Sequence, residues 1–336
     1  MAQLPPSPVL FLDTLVGYQR SAALKAAIEL AFFTAIGEGN RSAAAIAKRC
    51  AASERGVRIL CDYLVVAGFL TKSGAEYELT ADSAVFLDRR SASYIGAAAE
   101  FIASPMLVEA FLTDPAEIVR RGGTLQGEGS VSPDNPIWVA FARAMAPMVA
   151  QRAAEFAALA DAEAAQPIKV LDIAAGHGLF GIAMARRNPR AEIAALDWNA
   201  VLEVARGNAA KAGVASRFKT IPGSAFEADF GGPYDIVLLT NFLHHFDPAT
   251  CEGLLRKVHA ALVPDGRVVT LEFVPNDDRV TPPGAASFSF VMLGSTRAGD
   301  AYTFAEYRRM FEAAGFSQLA LHELPPTDQR VVTARR

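Results

Sequence analysis

A short segment, residues 168–181, constrains the fold of this chain more than any other. It begins with Ile168-Lys169-Val170-Leu171-Asp172-Ile173, an apolar run of the buried-strand type. The run leads directly into Ala174-Ala175-Gly176-His177-Gly178-Leu179-Phe180-Gly181, in which glycines recur at a G-x-G-x-x-G spacing. That spacing at a strand-to-helix turn is typical of loops whose backbone approaches a bound nucleotide. The segment therefore predicts an α/β sheet with a ligand site at its first turn.

From residue 166 onward, predicted strands and helices alternate along the chain. The predicted strands cover 168–173, 191–196, 218–221, 236–239, 267–273 and 318–322. The predicted helices cover 179–187, 199–212, 249–262 and 304–314. Alternation of this kind is typical of a doubly wound, mostly parallel sheet, in which ligands bind beyond the carboxyl ends of the strands.

Residues 1–165 have a different, mainly helical pattern. One helix is predicted over 9–36, and Ser42 and Ser53 each have a side chain suited to begin a further helix. Two short strands follow within 69–80, and more helices are predicted over 94–103, 105–120 and 136–164. Because 336 residues are enough for two domains, we place these at 1–165 and 166–336. Three helices followed by a hairpin, as in the first domain, are typical of a winged helix.

Winged helices often bind DNA, but the charges of this one do not favour that function. The net charge of the chain is −4, and the helix after Ser53 sets Glu54 and Asp62 against Arg55 and Arg58. Binding to the DNA backbone requires many uncompensated cations. The apolar residues of the helix therefore favour packing or dimerisation, and a DNA-binding regulator remains the less favoured alternative.

Cysteine usage and hydrophobicity predict a protein of a reducing, aqueous compartment. Cys50, Cys61 and Cys251 lack the spacing of a disulfide framework or of a metal site. No window of about 18 apolar residues occurs, and residues 1–20 do not have the pattern of a signal peptide. We expect a soluble, cytoplasmic protein that binds neither a metal nor a membrane.

Two carboxylates distinguish between the cofactors that a glycine loop can hold. Asp197 ends the second predicted strand about 20 residues beyond Gly176, where an acid usually binds ribose hydroxyls. Asp172 lies at the mouth of the glycine loop, where its negative charge would repel the diphosphate of NAD. The same charge would attract the ammonium group of S-adenosylmethionine, which has no phosphate. An NAD-dependent oxidoreductase therefore remains the alternative to an enzyme that uses S-adenosylmethionine.

The third predicted strand leads into Pro222-Gly223-Ser224-Ala225-Phe226, where the adenine of a cofactor spanning this sheet would lie. Phe226 could stack on the adenine ring, and Trp198, beside Asp197, could cover the other face of the ring. Either aromatic side chain could equally belong to the core.

Three stretches together resemble the S-adenosylmethionine-dependent O-methyltransferases of small molecules. They are residues 170–178, Leu196-Asp197 and Asn241-Phe242-Leu243-His244-His245-Phe246. The family includes enzymes that act on caffeate, hydroxyindoles and polyketides. Residues 1–165 are similar to its winged-helix dimerisation domain, so the resemblance covers nearly the whole chain. It implies a homodimer formed through the first domain and a class I methyltransferase domain over 166–336.

The resemblance also implies which residues hold the cofactor. In that family the positions of Asp172 and the glycines bind the methionine end, and the position of Asp197 binds the ribose. Ser224 stands where the family has an acid in its adenine loop. The implied cofactor set is Asp172, Ala174, Gly176, Gly178, Asp197, Trp198, Gly223, Ser224, Ala225, Phe226 and Asn241. The product left after transfer is S-adenosylhomocysteine, and no metal is expected to take part.

Methyl transfer to a hydroxyl requires a base, and histidine, with a free pKa of about 6.5, suits that task. Either of the tandem histidines His244 and His245, which follow the fourth predicted strand, could be this base. The resemblance assigns the base to His244, whereas His245 stands where the family has an acid. Glu272, near the end of the fifth predicted strand, matches the acid that orients the histidine. A second family acid is missing, because Ala301 occupies its position and Asp300 only adjoins it.

The resemblance places Phe141 and Met145 in the methyl-transfer pocket. An insertion over 282–300 adds Phe288 and Met292, which would make the pocket apolar and suited to an aromatic substrate. The same side chains could instead pack the two domains together. The expected reaction is methylation of a phenolic type of hydroxyl on a small aromatic or polyketide-like molecule. N-methylation, hydroxylation and decarboxylation remain the alternatives that the missing acid leaves open.

Overall fold

The computed structural model describes residues 6–131, 135–161 and 166–336, with the side chain of Gln151 excepted. The chain folds as two compact units, Met1–Ser104 and Pro105–Arg336. Helices between 105 and 160 thus belong to the unit that contains the large sheet. The predicted domain boundary, between residues 165 and 166, adjoins residues 162–165, which lie outside the described residues. The prediction that the two domains have separate functions stays a prediction.

The first unit combines short helices with a two-stranded hairpin. Its α-helices are α1 (Val9–Leu15), α2 (Gly17–Glu29), α3 (Phe32–Gly37), α4 (Ala43–Cys50), α5 (Glu54–Val66), α6 (Ala81–Phe86) and α7 (Ala99–Ile102). The antiparallel strands are β1 (Leu70–Ser73) and β2 (Glu76–Leu79). The side chains of Ser42 and Ser53 accept backbone hydrogen bonds at the starts of α4 and α5. The helices predicted after these serines, and the predicted hairpin, are therefore confirmed.

The prediction of one continuous helix over 9–36 is wrong. The segment is divided into α1, α2 and α3, with breaks at Val16 and Ala31. Ala31 has a left-handed φ of 58°, which is incompatible with the interior of a right-handed helix. The change of direction allows α3 to bury Phe32 and Phe33, a tertiary gain that the local hydrophobic pattern does not reveal.

The second unit is an α/β domain with a helical N-terminal part. Its α-helices are α8 (Pro105–Leu112), α9 (Pro115–Arg121), α10 (Ile137–Ala160), α11 (Leu179–Arg187), α12 (Asn199–Lys211), α13 (Pro248–Ala261), α14 (Pro283–Ser295) and α15 (Phe304–Ala313). Its strands are β3 (Ile168–Ile173), β4 (Ala191–Asp197), β5 (Phe218–Pro222), β6 (Tyr234–Thr240), β7 (Leu262–Phe273), β8 (Ser317–Glu323) and β9 (Gln329–Arg335). Across the described ranges, no helix has both the length and the apolar character needed to cross a membrane.

Three details of this unit differ from the sequence-based expectations. The helix predicted over 105–120 is two helices, because Asp114 caps a new helix that starts at Pro115. The insertion over 282–300 contains α14, and the last strand, β9, was not predicted.

The seven strands form one sheet in the order β5-β4-β3-β6-β7-β9-β8. The pairs from β5 to β7 are parallel, and β9 is antiparallel to both β7 and β8. The predicted doubly wound, mostly parallel sheet is therefore confirmed. The direction of strand succession reverses between β3 and β6, and such a switch leaves a crevice at the carboxyl ends of these strands. The glycine loop after β3 and the histidines after β6 meet at this crevice.

Apolar side chains cover both faces of the sheet. One cluster joins alternate strand residues, such as Val170 and Ile193, to α10, α11 and α12. The other joins the intervening residues, such as Leu171 and Val237, to α13 and α15. Burial on both faces explains why these strands are nearly continuous apolar runs and why they were recognisable in the sequence.

Candidate active site

The loop between β3 and α11 contains residues in the left-handed region of the backbone. Ala174, Gly176 and Gly178 have φ values of 53°, 56° and 73°. Glycine adopts these values at little cost, whereas a residue with a Cβ is strained there. At position 178 a Cβ would also lie 2.9 Å from the Cβ of Ala205. Conformation and space therefore both require glycine at 178.

Asp172, the last residue but one of strand β3, is fully buried. Its Oδ2 accepts a hydrogen bond from the Gly181 N–H at 3.0 Å, while its Oδ1 has no partner among the described residues. The pKa of Asp172 is raised to about 7, mainly by burial; the Gly181 N–H opposes this change, and the nearby charge of Asp197 adds to it. A buried carboxylate oxygen without a partner is costly, so this position favours the binding of a cationic group.

Asp197, at the end of β4, connects the glycine loop to the start of α12. Its Oδ2 accepts a hydrogen bond from the Gly176 N–H at 2.8 Å, and its Oδ1 accepts one from the Trp198 N–H at 2.7 Å. Burial raises the pKa of Asp197 to about 6, although the two N–H donors oppose the change. Each carboxylate oxygen has a further lone pair with which to bind the hydroxyls of a ribose.

The loop after β5, residues 223–228, lies beside Asp197. The Gly223 N–H donates a hydrogen bond to the carbonyl oxygen of Asp197 at 3.0 Å. The hydroxyl of Ser224 accepts one from the Phe226 N–H at 3.2 Å, which closes a local turn. We refer to residues 223–228 as the β5 loop.

Two aromatic side chains predicted to enclose adenine lie on this side of the sheet. The Phe226 side chain is 40% exposed, and its ring centroid is 4.9 Å from that of Phe246 and 6.3 Å from that of Phe242. Trp198 is half-buried and caps α12. In the part of the chain that the structure describes, no ring contact joins Trp198 to Phe226. The two rings are therefore not stacked on each other, and binding of adenine between them stays a prediction.

The predicted base and its orienting acid form a hydrogen-bonded pair. His244, in a 3₁₀ turn after β6, is hydrogen-bonded through Nδ1 to Oε2 of Glu272, on β7. Both side chains are buried, with 3% and 0% exposure. Oε1 of Glu272 accepts hydrogen bonds from the Phe242 and Leu243 N–H groups at 3.0 and 2.9 Å. These donors stabilise an ionised carboxylate, which keeps the imidazole proton on Nδ1 and the lone pair on Nε2.

Asn241 approaches the crevice from the end of β6. Its φ is 54°, and its N–H donates to the Leu271 carbonyl at 2.8 Å. Its Oδ1 accepts a short hydrogen bond from Nε2 of Gln329, on β9. Gln329 was not among the predicted site residues, because the strand that carries it was not recognised.

A series of ring contacts joins α14 and α10 to the base. Phe288, on α14, meets His244 edge to face at a centroid distance of 4.9 Å and stacks on Phe273 at 4.0 Å. On the other side, the ring of His245 is 4.3 Å from that of His244 and 5.3 Å from that of Trp138, on α10. The predicted base therefore lies within a series of ring contacts that extends to side chains from two helices.

The series continues to the glycine loop. The ring of Phe141 is 5.6 Å from that of Trp138 and stacks with His177 at 6.3 Å. Nδ1 of His177 accepts a hydrogen bond from the Leu179 N–H at 3.2 Å, which assigns the ring proton to Nε2. Burial lowers the pKa of His177 to about 4, so this imidazole is neutral at physiological pH.

Not every predicted pocket residue reaches this series. Phe141 and Phe288 take part in it, whereas Met145 is half-buried on α10 and Met292 is buried on α14. Sequence reasoning missed the roles of Trp138 and His177. The placement of His177 inside the glycine motif was a usable signal for the second.

The second acid of the family pattern, which would occupy position 301, is replaced by alanine in this chain. Ala301 is fully buried, and the carboxylate of Asp300 forms an ion pair with Arg279 at 3.2 Å. His245 stands at the position of the other family acid, and burial, with His244 adding to it, lowers the pKa of His245 well below its usual value. Glu272 is therefore the carboxylate that is hydrogen-bonded to the predicted base. Among the described residues, no group of three or more His, Cys, Asp or Glu side chains could hold a metal ion.

The sheet order, with a single inserted antiparallel strand, and the acids of the crevice define the methyltransferase class of α/β domains. The profile of the O-methyltransferase domain matches residues 135–317, and that of the O-methyltransferase dimerisation domain matches residues 12–89. The chain belongs to the family of S-adenosylmethionine-dependent O-methyltransferases that carry this dimerisation domain.

Individual relatives are similar over almost the whole chain. A candidate O-methyltransferase of Nostoc punctiforme, solved by crystallography, is 56% identical, with a TM-score of 0.94 over 99% of this chain and 100% of that one. The 3-hydroxy-5-methyl-1-naphthoate 3-O-methyltransferase of Streptomyces sahachiroi is 28% identical over 93% of this chain and 90% of that protein. Human N-acetylserotonin methyltransferase, solved with S-adenosylmethionine, shares the fold, with a TM-score of 0.85 at 21% identity over 100% and 99% of the two chains.

Proposed function

We propose that this protein transfers a methyl group from S-adenosylmethionine to a hydroxyl on a small aromatic molecule and releases S-adenosylhomocysteine. The hydrogen bond between His244 and Glu272 carries the proposal, since it provides an oriented base at the sheet edge that also contains the glycine loop. The name of the Streptomyces sahachiroi relative, an O-methyltransferase of a hydroxynaphthoate, supports an aromatic acceptor of phenolic type.

The side chains of the crevice fit S-adenosylmethionine better than NAD. Asp172 offers a buried carboxylate oxygen that has no partner in the described part of the chain, which suits the ammonium of the methionine end. Asp197 offers acceptors for ribose hydroxyls beside the next strand. The same charge of Asp172 would repel a diphosphate, which disfavours the oxidoreductase alternative. The remaining proposed contacts are Ala174, Gly176, Gly178, Trp198, Gly223, Ser224, Ala225, Phe226 and Asn241.

In this mechanism the cofactor, when bound, supplies a methyl group on a positively charged sulfur. His244 removes the proton of the acceptor hydroxyl through Nε2. Glu272 keeps the other ring proton on Nδ1 and stabilises the imidazolium that His244 becomes. His177 and His245 are kept neutral by burial, so they add no positive charge beside the cofactor.

The acceptor would lie among the ring contacts around the base. Phe288 and Phe273 form a stacked pair next to His244, and Trp138 and Phe141 line the side of α10. Flat aromatic side chains favour a flat aromatic ligand by stacking and edge contacts. Met145 and Met292 would supply adaptable apolar surface around it.

The reaction type is tested with purified protein, S-adenosylmethionine and a panel of phenols, naphthols and hydroxynaphthoates, the last of which carry a carboxyl group. We expect S-adenosylhomocysteine to be released and the acceptor to gain one CH₂ in mass. The matched acceptors with the hydroxyl already methylated should give no turnover. Loss of a carboxyl group or gain of an oxygen in the product would contradict O-methylation, and would support the alternatives that the missing acid at Ala301 leaves open.

The affinity for S-adenosylmethionine is expected to fall as the pH decreases below about 7. Asp172 and Asp197 have pKa values raised to about 7 and about 6, and only their ionised forms attract a cation. Binding is therefore complete above the higher pKa and weakens as both groups are protonated. Calorimetric titrations between about pH 8 and pH 5.5 measure this change. A flat profile would show that neither carboxylate faces the cofactor cation.

We further propose that the protein is a homodimer formed through its first unit. Helix α1 exposes a run of apolar side chains, of which Leu10 is 80% and Phe11 is 63% accessible. Contiguous exposed apolar residues mark interaction surfaces. Leu10→Asp combined with Phe11→Asp is expected to halve the mass seen by light scattering, whereas Gln19→Asp, on the exposed part of α2, should not. A wild-type mass of one chain would contradict the dimer.

The charges of the first unit support the prediction that it does not bind DNA. Asp62, on α5, accepts hydrogen bonds from Arg58 at 3.2 Å and from Lys72, in the wing, at 2.6 Å. Both cations are therefore engaged in ion pairs with one carboxylate within the unit. Contact with DNA phosphates would first require breaking these pairs.

A further inference from the structure

Lys257, on α13, donates three hydrogen bonds to the β5 loop. Its ammonium lies 3.1 Å from the carbonyl oxygens of Ala225 and Phe226 and 2.6 Å from that of Ala228. The same ammonium is 4.1 Å from the centre of the Phe230 ring. A lysine has three N–H donors, so all of them are used on this one loop.

The hydrogen bonds inside the β5 loop are short-range. The carbonyl of Ser224 accepts from the N–H groups of Glu227 and Ala228 at 3.1 and 2.8 Å, and its hydroxyl accepts from Phe226. Lys257 instead connects the loop to α13, which is fixed in the core by buried residues such as Leu254 and Leu255. The lysine thus restrains the positions of three loop carbonyls relative to a packed helix.

The position of the β5 loop relates it to the far end of the cofactor. The sheet places β5 next to β4, on the side away from β3. Suppose that the methionine end of the cofactor lies at Asp172 and its ribose at Asp197. Its adenine ring then extends toward β5. Because Ser224 has no charge to offer the adenine ring, adenine binding at the β5 loop would depend on the amides of the loop and on the exposed ring of Phe226.

We propose that Lys257 is a cofactor-positioning residue, which holds the β5 loop in the shape that receives the adenine ring. This role rests on the proposed use of S-adenosylmethionine. Hydrogen bonds from a charged donor are stronger than neutral ones, and three that converge on one ammonium restrict the loop from three sides. Lys257 acts through the loop and not on the reacting atoms, so it should influence cofactor affinity and leave the chemical step unchanged.

Lys257→Met removes the ammonium and keeps a long apolar chain. We expect the Kd for S-adenosylhomocysteine to rise about tenfold, as for the loss of about 1.4 kcal/mol of binding free energy. The kcat at saturating cofactor and the KM for the acceptor should change less than about twofold. Lys219→Met is the matched control, because the Lys219 side chain is 77% exposed on β5, and it should leave all three constants unchanged.

A ligand without adenine separates positioning of the base from general support of the fold. S-ribosylhomocysteine retains the amino acid and the ribose, so Lys257→Met should not alter its inhibition constant. Equal weakening of both ligands, or no weakening of S-adenosylhomocysteine, would overturn the positioning role. If Lys257→Met is not folded, as judged by its melting curve, Lys257→Arg supports the same comparison, since a planar guanidinium cannot converge on three carbonyls.

Failure of the proposed function gives a different result from failure of the positioning role. If the wild-type protein binds neither S-adenosylmethionine nor S-adenosylhomocysteine, the proposed cofactor is wrong, and the role of Lys257 is overturned with it. If the wild type binds both and the variants bind them as tightly, only the role of Lys257 is overturned.

Discussion

His244→Ala is expected to lower kcat by about 10²- to 10⁴-fold, the range typical of a positioned general base. The Kd for S-adenosylhomocysteine should stay within about twofold, because His244 contacts Glu272 and the acceptor side of the crevice and not the glycine loop. Single-turnover rates at saturating acceptor, together with calorimetry of the cofactor, measure the two quantities separately.

Two further variants make this test specific. Glu272→Gln keeps the shape of the orienting side chain and removes its charge, so it should reduce kcat by less than the loss of the base itself. His322→Ala is the control, because His322 lies on β8 and is hydrogen-bonded to Thr333 at 3.1 Å. An unchanged kcat for His244→Ala would remove this histidine from the mechanism.

Asp172→Asn is expected to weaken S-adenosylmethionine binding by about 10- to 100-fold, as for the loss of a charge-assisted hydrogen bond in a buried site. The variant keeps an oxygen that can accept the Gly181 N–H, so the loop should retain its shape. Calorimetry with S-adenosylmethionine, and with NADH beside it, measures the effect. Equal affinity of wild type and variant would show that Asp172 does not meet the ammonium.

The same substitution should not destabilise the protein without ligand. The pKa of Asp172 is raised in the folded state to about 7, so its contribution to stability is complete below the unfolded value of 3.8 and is lost as the pH rises through about 7. At about pH 8 the wild type therefore carries a buried charge that the variant lacks. The melting temperature of Asp172→Asn should then be equal to or higher than that of the wild type.

Most of the sheet could be predicted because burial on both faces makes each central strand a recognisable apolar run, as in β3 and β6. Strand β9 is different, since polar and charged residues such as Arg330 and Thr333 interrupt its apolar run, even though it pairs with the neighbouring β8 as well as with β7. Helix α14 was missed because it packs against α8, α9 and β7, so its apolar side chains do not form a single stripe.

The acids and the base could be predicted as neighbours because parallel strands end at one edge of the sheet. The contacts between side chains could not, since they depend on strand register and on packing. Lys257 is 32 residues from Ala225, and no local pattern connects a helix residue with that carbonyl. The turn of Asp300 toward Arg279 is likewise a tertiary event.

The proposed base lies in the turn that follows β6, and its proposed orienting acid lies on the neighbouring strand β7, with a register that pairs Thr240 with Leu271. Their separation therefore depends on the backbone ladder more than on α10 or α14, which would enclose the acceptor under the proposed mechanism. In evolutionary terms, that mechanism makes proton removal and acceptor choice separate modules. A descendant of this protein could acquire a new acceptor through substitutions in two helices and inherit the catalytic pair unchanged.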